Sequence, residues 1–150
     1  KEQPKVRLKL LSLLKDKKDI SIMIIRLNKG NVWTDLRQEK SILYNYVVNI
    51  LLNRVFSKKL IPIKDKIVFV QSQRETNKLL NLNFKQYISQ QVKKNHGVEL
   101  VVEIKRPSEE KALQIVDFVS WGVFRKYEHN DDTYYNIIKD LIRENTSLYE

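Results

Sequence analysis

Apolar and polar positions along this chain switch between two periods. From Lys5 to Lys17, Val6, Leu10, Leu13 and Leu14 recur at helical spacing, and Pro4 suits a first helical turn. Asp19 to Leu27 reads DISIMIIRL, β-branched and nearly continuous, which predicts a strand buried on both faces. Asn28-Lys29-Gly30-Asn31 is a turn. Leu36 to Ser57 predicts a long helix with Leu43, Val47, Ile50 or Leu51, and Val55 along one side, closed by Lys58, Lys59 and Pro62. Lys66 to Val70 (KIVFV) is a second strand. Glu75 to Lys94 predicts a helix with Leu80, Phe84, Tyr87, Ile88 and Val92 inward; Gly97 is its left-handed cap. Val98 to Ile104 (VELVVEI) is a third strand. Pro107 and Ser108 open a helix that ends near Tyr127. A last helix starts at Asp131 or Asp132 and carries Tyr134, Ile137, Ile138 and Leu141.

Strands alternating with helices imply an α/β fold, with about three parallel or mixed strands. The length of 150 residues suits a single domain with a real core. Three strands make a narrow sheet for so many helices, so further strands are expected on the N-terminal side.

Composition narrows the class. Ile, Leu and Val supply 47 of the 150 residues, which excludes intrinsic disorder despite 31% charged residues. Three Gly and three Pro argue against collagen and turn-rich β-sandwiches. The absence of Cys removes disulfides and thiolate metal sites, and His96 and His129 lie far apart in sequence, so zinc is not expected. Apolar runs such as Ile22 to Ile25 are far too short to span a bilayer, and no secretory signal is present. A cytoplasmic protein without a membrane partner is the expectation.

The net charge is +10, unevenly spread. Residues 1–106 carry 23 Lys and Arg against 9 Asp and Glu, a net of +14; residues 107–150 carry 5 against 9, a net of −4. A basic body suits a polyanion, because Lys and Arg release counterions from phosphates; a solubilising Lys-rich surface is the alternative.

Chemistry concentrates in Ala112 to Phe124, ALQIVDFVSWGVF, where nine of thirteen residues are apolar and Asp117 sits in the middle. A carboxylate is costly to bury there unless it binds a metal, pairs with an Arg or Lys, or accepts local hydrogen bonds. Helical spacing places Gln114, Asp117, Ser120 and Trp121 on one stripe. On the third strand Glu99 and Glu103 share a face, and Glu103 beside Asp117 would complete a carboxylate pair. Arg125 and Lys126 are candidate phosphate contacts, or simply cations favoured at a helix C-terminus. Trp121, Tyr127, Tyr134 and Tyr135 can stack on bases, but their spacing suits core packing better. There is no Gly-rich phosphate loop and no Ser-His-acid arrangement.

Ser108, Leu113, Gln114, Asp117, Arg125, Lys126 and Tyr127 fit a Ser, Leu-Gln-x-x-Asp, Arg-Lys-Tyr signature. In these residues the chain resembles the family catalogued as "domain of unknown function 3800". Asp131 to Ile138, the turn bearing Lys29, and the helix bearing Tyr44 and Asn45 are also similar to it. The resemblance implies a ribonuclease-H-like core and a carboxylate cluster that binds Mg²⁺ or Mn²⁺ for phosphodiester chemistry. It makes Asp117 the last-helix ligand and catalytic residue, with Gln114, Ser108 and Ser120 in support. Lys29, Arg74, Arg125 and Lys126 would then hold nucleic acid. Two departures accompany it. The family's Asp-Glu-Ser-Gly hairpin has no counterpart, as if Lys1 began a C-terminal fragment lacking that hairpin. Gln71-Ser72 stands where the family often carries Asp. The leading expectation is a nuclease-like or nucleic-acid-binding domain. The alternative is a catalytically inactive interaction or structural module, as a homo-oligomer or with a partner over the missing strands.

Overall fold

The computed structural model describes residues 4–28, 30, 40–62 and 66–148. Their elements run α1 (Pro4–Lys15), β1 (Ile22–Leu27), α2 (Lys40–Ser57), β2 (Ile67–Ser72), α3 (Lys78–His96), β3 (Leu100–Lys105), α4 (Lys111–His129), α5 (Thr133–Ile138), a 3-10 turn (Lys139–Leu141) and β4 (Ile142–Leu148). The fold is α/β, as the alternating periods predict. The strands form two pairs, β1 with β4 and β2 with β3. The fourth strand was not expected. Its sequence, IRENTSL, is mostly polar and is only partly buried along its length, so no apolar alternation announces it. None of the described helices is long and apolar enough to cross a membrane.

Two compact units result. One combines Lys1–Ile22 with Arg106–Arg143, and the other Met23–Lys105 with Glu144–Glu150. In the first, Leu11, Leu14, Ile138 and Leu141 are buried together, with Ile20, Phe118 and Tyr134 packed around them. Arg7 lies over the Trp121 ring, 4.1 Å from its centroid. The small side of Gly122 lets α5 approach, since a Cβ there would meet Tyr134 Cβ at 3.3 Å.

The second unit is built on a β2-α3-β3 arrangement. β2 and β3 are parallel, in register from Ile67 opposite Leu100 to Ser72 opposite Lys105. Ile67, Phe69, Leu100 and Val102 turn one face of this pair onto α2 and α3, where Val48, Leu52, Phe56, Phe84, Ile88 and Val92 complete the core. Val68 and Val101 occupy the other face and are exposed. Asn77 caps α3 by accepting from the Leu79 and Leu80 amides at 2.9 and 3.2 Å. Gly97 closes it at φ 66°, the left-handed cap expected from the sequence.

Glu144 on β4 joins Lys58 at 2.6 Å, and also Arg54 and the Thr146 hydroxyl. Lys58 first, then Arg54 and Thr146, outweigh the cost of burial and hold its carboxyl down to about 2. A carboxyl lowered on folding adds stability that is complete above its unfolded value, ~4.3. That stability is lost as pH falls from there toward about 2. With Lys58 half exposed, solvent screening leaves a contribution on the order of 1 kcal/mol. Glu144→Gln is therefore expected to lower stability at neutral pH and to flatten this part of the acid limb in urea melts. An unchanged acid limb would refute the assignment.

Candidate nucleic-acid interface

Parallel strands leave a crevice beyond their carboxyl ends, where the chain turns away into helices. In the second unit this crevice is a concave space of about 410 Å³. Gln71 and Ser72 enter it from the end of β2 and Ile104 from the end of β3. Lys40, Tyr44 and Asn45 line it from the first turns of α2, and Leu80, Asn81, Asn83 and Phe84 from the first turns of α3. Arg74 and Glu75 close it from the β2–α3 loop.

That loop is held by its own polar groups. Glu75 accepts from the Thr76 and Asn77 amides at 3.0 and 2.9 Å. The Asn81 amide donates to the Glu75 carbonyl at 2.9 Å, and Gln73 donates to the same oxygen at 3.3 Å. The Gln73 amide continues the strand pairing onto the Lys105 carbonyl at 2.8 Å. Arg74 is thus set on a fixed backbone, and its guanidinium rests 3.9 Å from the centroid of the Tyr44 ring. Burial pushes the Tyr44 phenol up, while Arg74 beside it pulls the other way. Tyr44 in turn packs on Phe84, with ring centroids 5.8 Å apart. The Glu75 carboxylate is engaged with the backbone just before α3, which leaves Arg74 and Lys40, among the described residues, as the cations facing the space.

Two other hollows carry less chemistry. At the amino ends of β2 and β3, Lys93 is matched by Glu99 at 4.0 Å. In the first unit a hollow of about 150 Å³ between α1 and α4 is lined by Leu10, Leu13, Ile115 and Phe118, with Lys17 at its edge.

The residues expected from the sequence fall in both units. Arg74 is the one brought into the crevice. Asp117 lies on α4 in the first unit and is exposed, as are Ser108, Gln114 and Ser120. The burial expected for Asp117 does not occur, because α4 turns Leu113 and Gly122 inward and leaves Ile115, Val116 and Asp117 toward solvent. Gln114 donates to the Pro107 carbonyl at 2.8 Å, tying the helix to the segment before it. Glu103 belongs to the second unit and faces Lys105 at 3.4 Å. Among the described residues no three His, Cys, Asp or Glu side chains gather as metal ligands. Among the described residues Asp117 is therefore not joined by the further carboxylates that a Mg²⁺ or Mn²⁺ centre requires.

Arg125 is committed to Asp131 at 3.0 Å, across the turn between α4 and α5. Hydrogen bonding from Thr133, and then from Arg125, holds the Asp131 carboxyl below its ordinary value. Lys126 sits over the Tyr135 ring at 4.7 Å. Trp121 meets Tyr134 edge-on at 4.3 Å, so these aromatics pack on one another, as their spacing suggests. Lys29 lies outside the described residues.

Lys40, Asn81 and Asn83 were missed by sequence reasoning. Single polar residues on helices look like solvated surface until a strand end is placed beside them. The signal available was the polar run Gln71-Ser72-Gln73-Arg74 directly after the apolar stretch Ile67 to Val70.

An exposed carboxylate costs little to neutralise. Asp117→Asn is expected to change unfolding stability by less than about 0.5 kcal/mol in chemical denaturation. A loss of several degrees in melting temperature would show that Asp117 is structurally paired.

Comparison with protein-family models, with curated proteins and with solved structures finds no match to this chain.

Proposed function

We propose that this chain binds nucleic acid, with the crevice at the carboxyl ends of β2 and β3 as its anchoring site. The observation that carries this reading is the placement of Arg74. A planar cation is braced over an aromatic ring, beside Lys40, in a concave space of nucleotide size. The net charge of +10, concentrated before residue 107, supplies the long-range attraction that a phosphate backbone feels. Binding is the activity proposed. Cleavage on Mg²⁺ or Mn²⁺ is the stronger form suggested by the ribonuclease-H-like resemblance, and it stands or falls with Asp117.

The test titrates labelled single-stranded DNA, RNA and a hybrid across a salt series, with Mn²⁺ or EDTA, beside Asp117→Asn. Affinity that falls steeply with salt and is indifferent to EDTA is expected. Mn²⁺-dependent cleavage lost in Asp117→Asn would establish the nuclease form. Absence of affinity even at low salt would contradict the proposal.

A second reading, an interaction module without nucleic acid, is favoured by the exposed apolar side chains Leu13 and Val6 on α1 and Val116 and Phe124 on α4. Self-association in sedimentation, together with no nucleic-acid affinity, would select it.

A further inference from the structure

The crevice is not built as a phosphate pocket throughout. Phosphate oxygens accept hydrogen bonds and want donors around them. Besides the Arg74 and Lys40 cations, the lining carries the amides Asn45, Gln71 and Asn83 and the apolar Phe84 and Ile104. Each amide carries an acceptor oxygen as well as donors. An amide can give its N–H groups to a phosphate, but its oxygen then finds no donor there, whereas donor and acceptor side by side match the edge of a nucleobase. Apolar side chains suit its faces. The volume, about 410 Å³, is more than a phosphate fills and lies within the roughly 300–1,000 Å³ of small-ligand pockets. A base stacked in a duplex cannot enter such a hollow, whereas a splayed base of a single strand can.

We infer that this crevice seats one unstacked nucleobase of a single strand, with the adjoining phosphate on Arg74 and Lys40. The inference rests on the nucleic-acid reading above and specifies its substrate: single-stranded nucleic acid, held by a base as well as by its backbone. Arg74 and Lys40 set the backbone at the mouth. Asn45 and Asn83, reaching in from two different helices, read the base edge. The bracing hydrogen bonds of Glu75, Asn81 and Gln73 keep the mouth open before the strand arrives.

The test compares a short labelled single strand with the same strand carrying abasic positions and with its duplex, at matched salt, by fluorescence anisotropy. Wild type, Asn83→Ala and Arg74→Ala are titrated. Asn83 is exposed, so its truncation leaves the fold intact, and a circular-dichroism melt checks this. The abasic strand and the duplex are each expected to bind about tenfold more weakly than the parent strand. Asn83→Ala should weaken the parent strand and leave the abasic strand unchanged; Arg74→Ala should weaken both. If the abasic strand or the duplex binds as tightly as the parent while Arg74→Ala still weakens them, the base-seating inference is overturned and the nucleic-acid reading survives. If no strand shows salt-sensitive binding, both are overturned.

Discussion

Arg74→Ala is expected to weaken single-stranded nucleic-acid binding by roughly tenfold to a hundredfold, the range for a charge-assisted hydrogen bond to phosphate. The same change should lower the slope of log affinity against log salt by about 0.7, the value for one phosphate contact on a single strand. The structural reason is placement. Arg74 stands on a loop pinned by Glu75, Gln73 and Asn81, and its guanidinium is held 3.9 Å from the Tyr44 ring centroid. A cation already ordered loses little side-chain entropy when it meets a phosphate. Arg74→Lys keeps the charge and loses the planar fork that stacks on the ring, so it should fall between wild type and alanine. Arg106→Ala is the control, since Arg106 is an exposed cation already facing Glu109. If Arg74 were only a brace for Tyr44, Arg74→Ala would change the melting temperature and leave affinity and salt slope alone.

The largest effect on stability is expected at Ile88. Its side chain is 0% exposed at the centre of the second unit's core. Around it lie Val48 and Leu52 from α2, Phe84 and Val92 on its own helix, and the inward face of β2 and β3. Ile88→Ala removes buried methyl and methylene groups and leaves a cavity, at a cost of about 2–5 kcal/mol. For a chain of this size the melting temperature should drop by roughly 10 °C. Val68→Ala provides the contrast, because Val68 is 45% exposed on the outer face of the same strand pair. Equal effects at both positions in urea melts would mean that the strand pair does not present these faces as described.

These two positions also show what the sequence makes legible. Ile88 belongs to a helical apolar stripe with Phe84 and Val92, and all three are buried. The segments KIVFV and VELVVEI are rich in β-branched residues and do form a parallel pair. The αL cap at Gly97 follows from Gly being free of the Cβ penalty at positive φ. The tail strand was not legible, because polar IRENTSL carries little apolar signal and earns its place by pairing with β1 and by the Glu144 ion pairs. The site was half legible. Arg74 stands out as a cation after an apolar strand, but Tyr44 and Asn45 come from a helix about thirty residues earlier, and Asn83 from the helix that follows. Local spacing does not encode that meeting; the packing of α2 and α3 on the strand pair does. Asp117 misled for a related reason. An apolar stretch predicts burial for the helix as a whole, whereas α4 buries only one side and turns Asp117 to the other.

The proposed binding site is the crevice at the carboxyl ends of β2 and β3. The most direct measurement is a titration of ¹⁵N-labelled protein with a short single strand, following backbone amide shifts in two-dimensional NMR spectra. The largest shifts are expected at Tyr44–Asn45, Gln71–Glu75 and Asn81–Phe84. Shifts centred on Asp117 and the exposed face of α4, with the crevice silent, would contradict it.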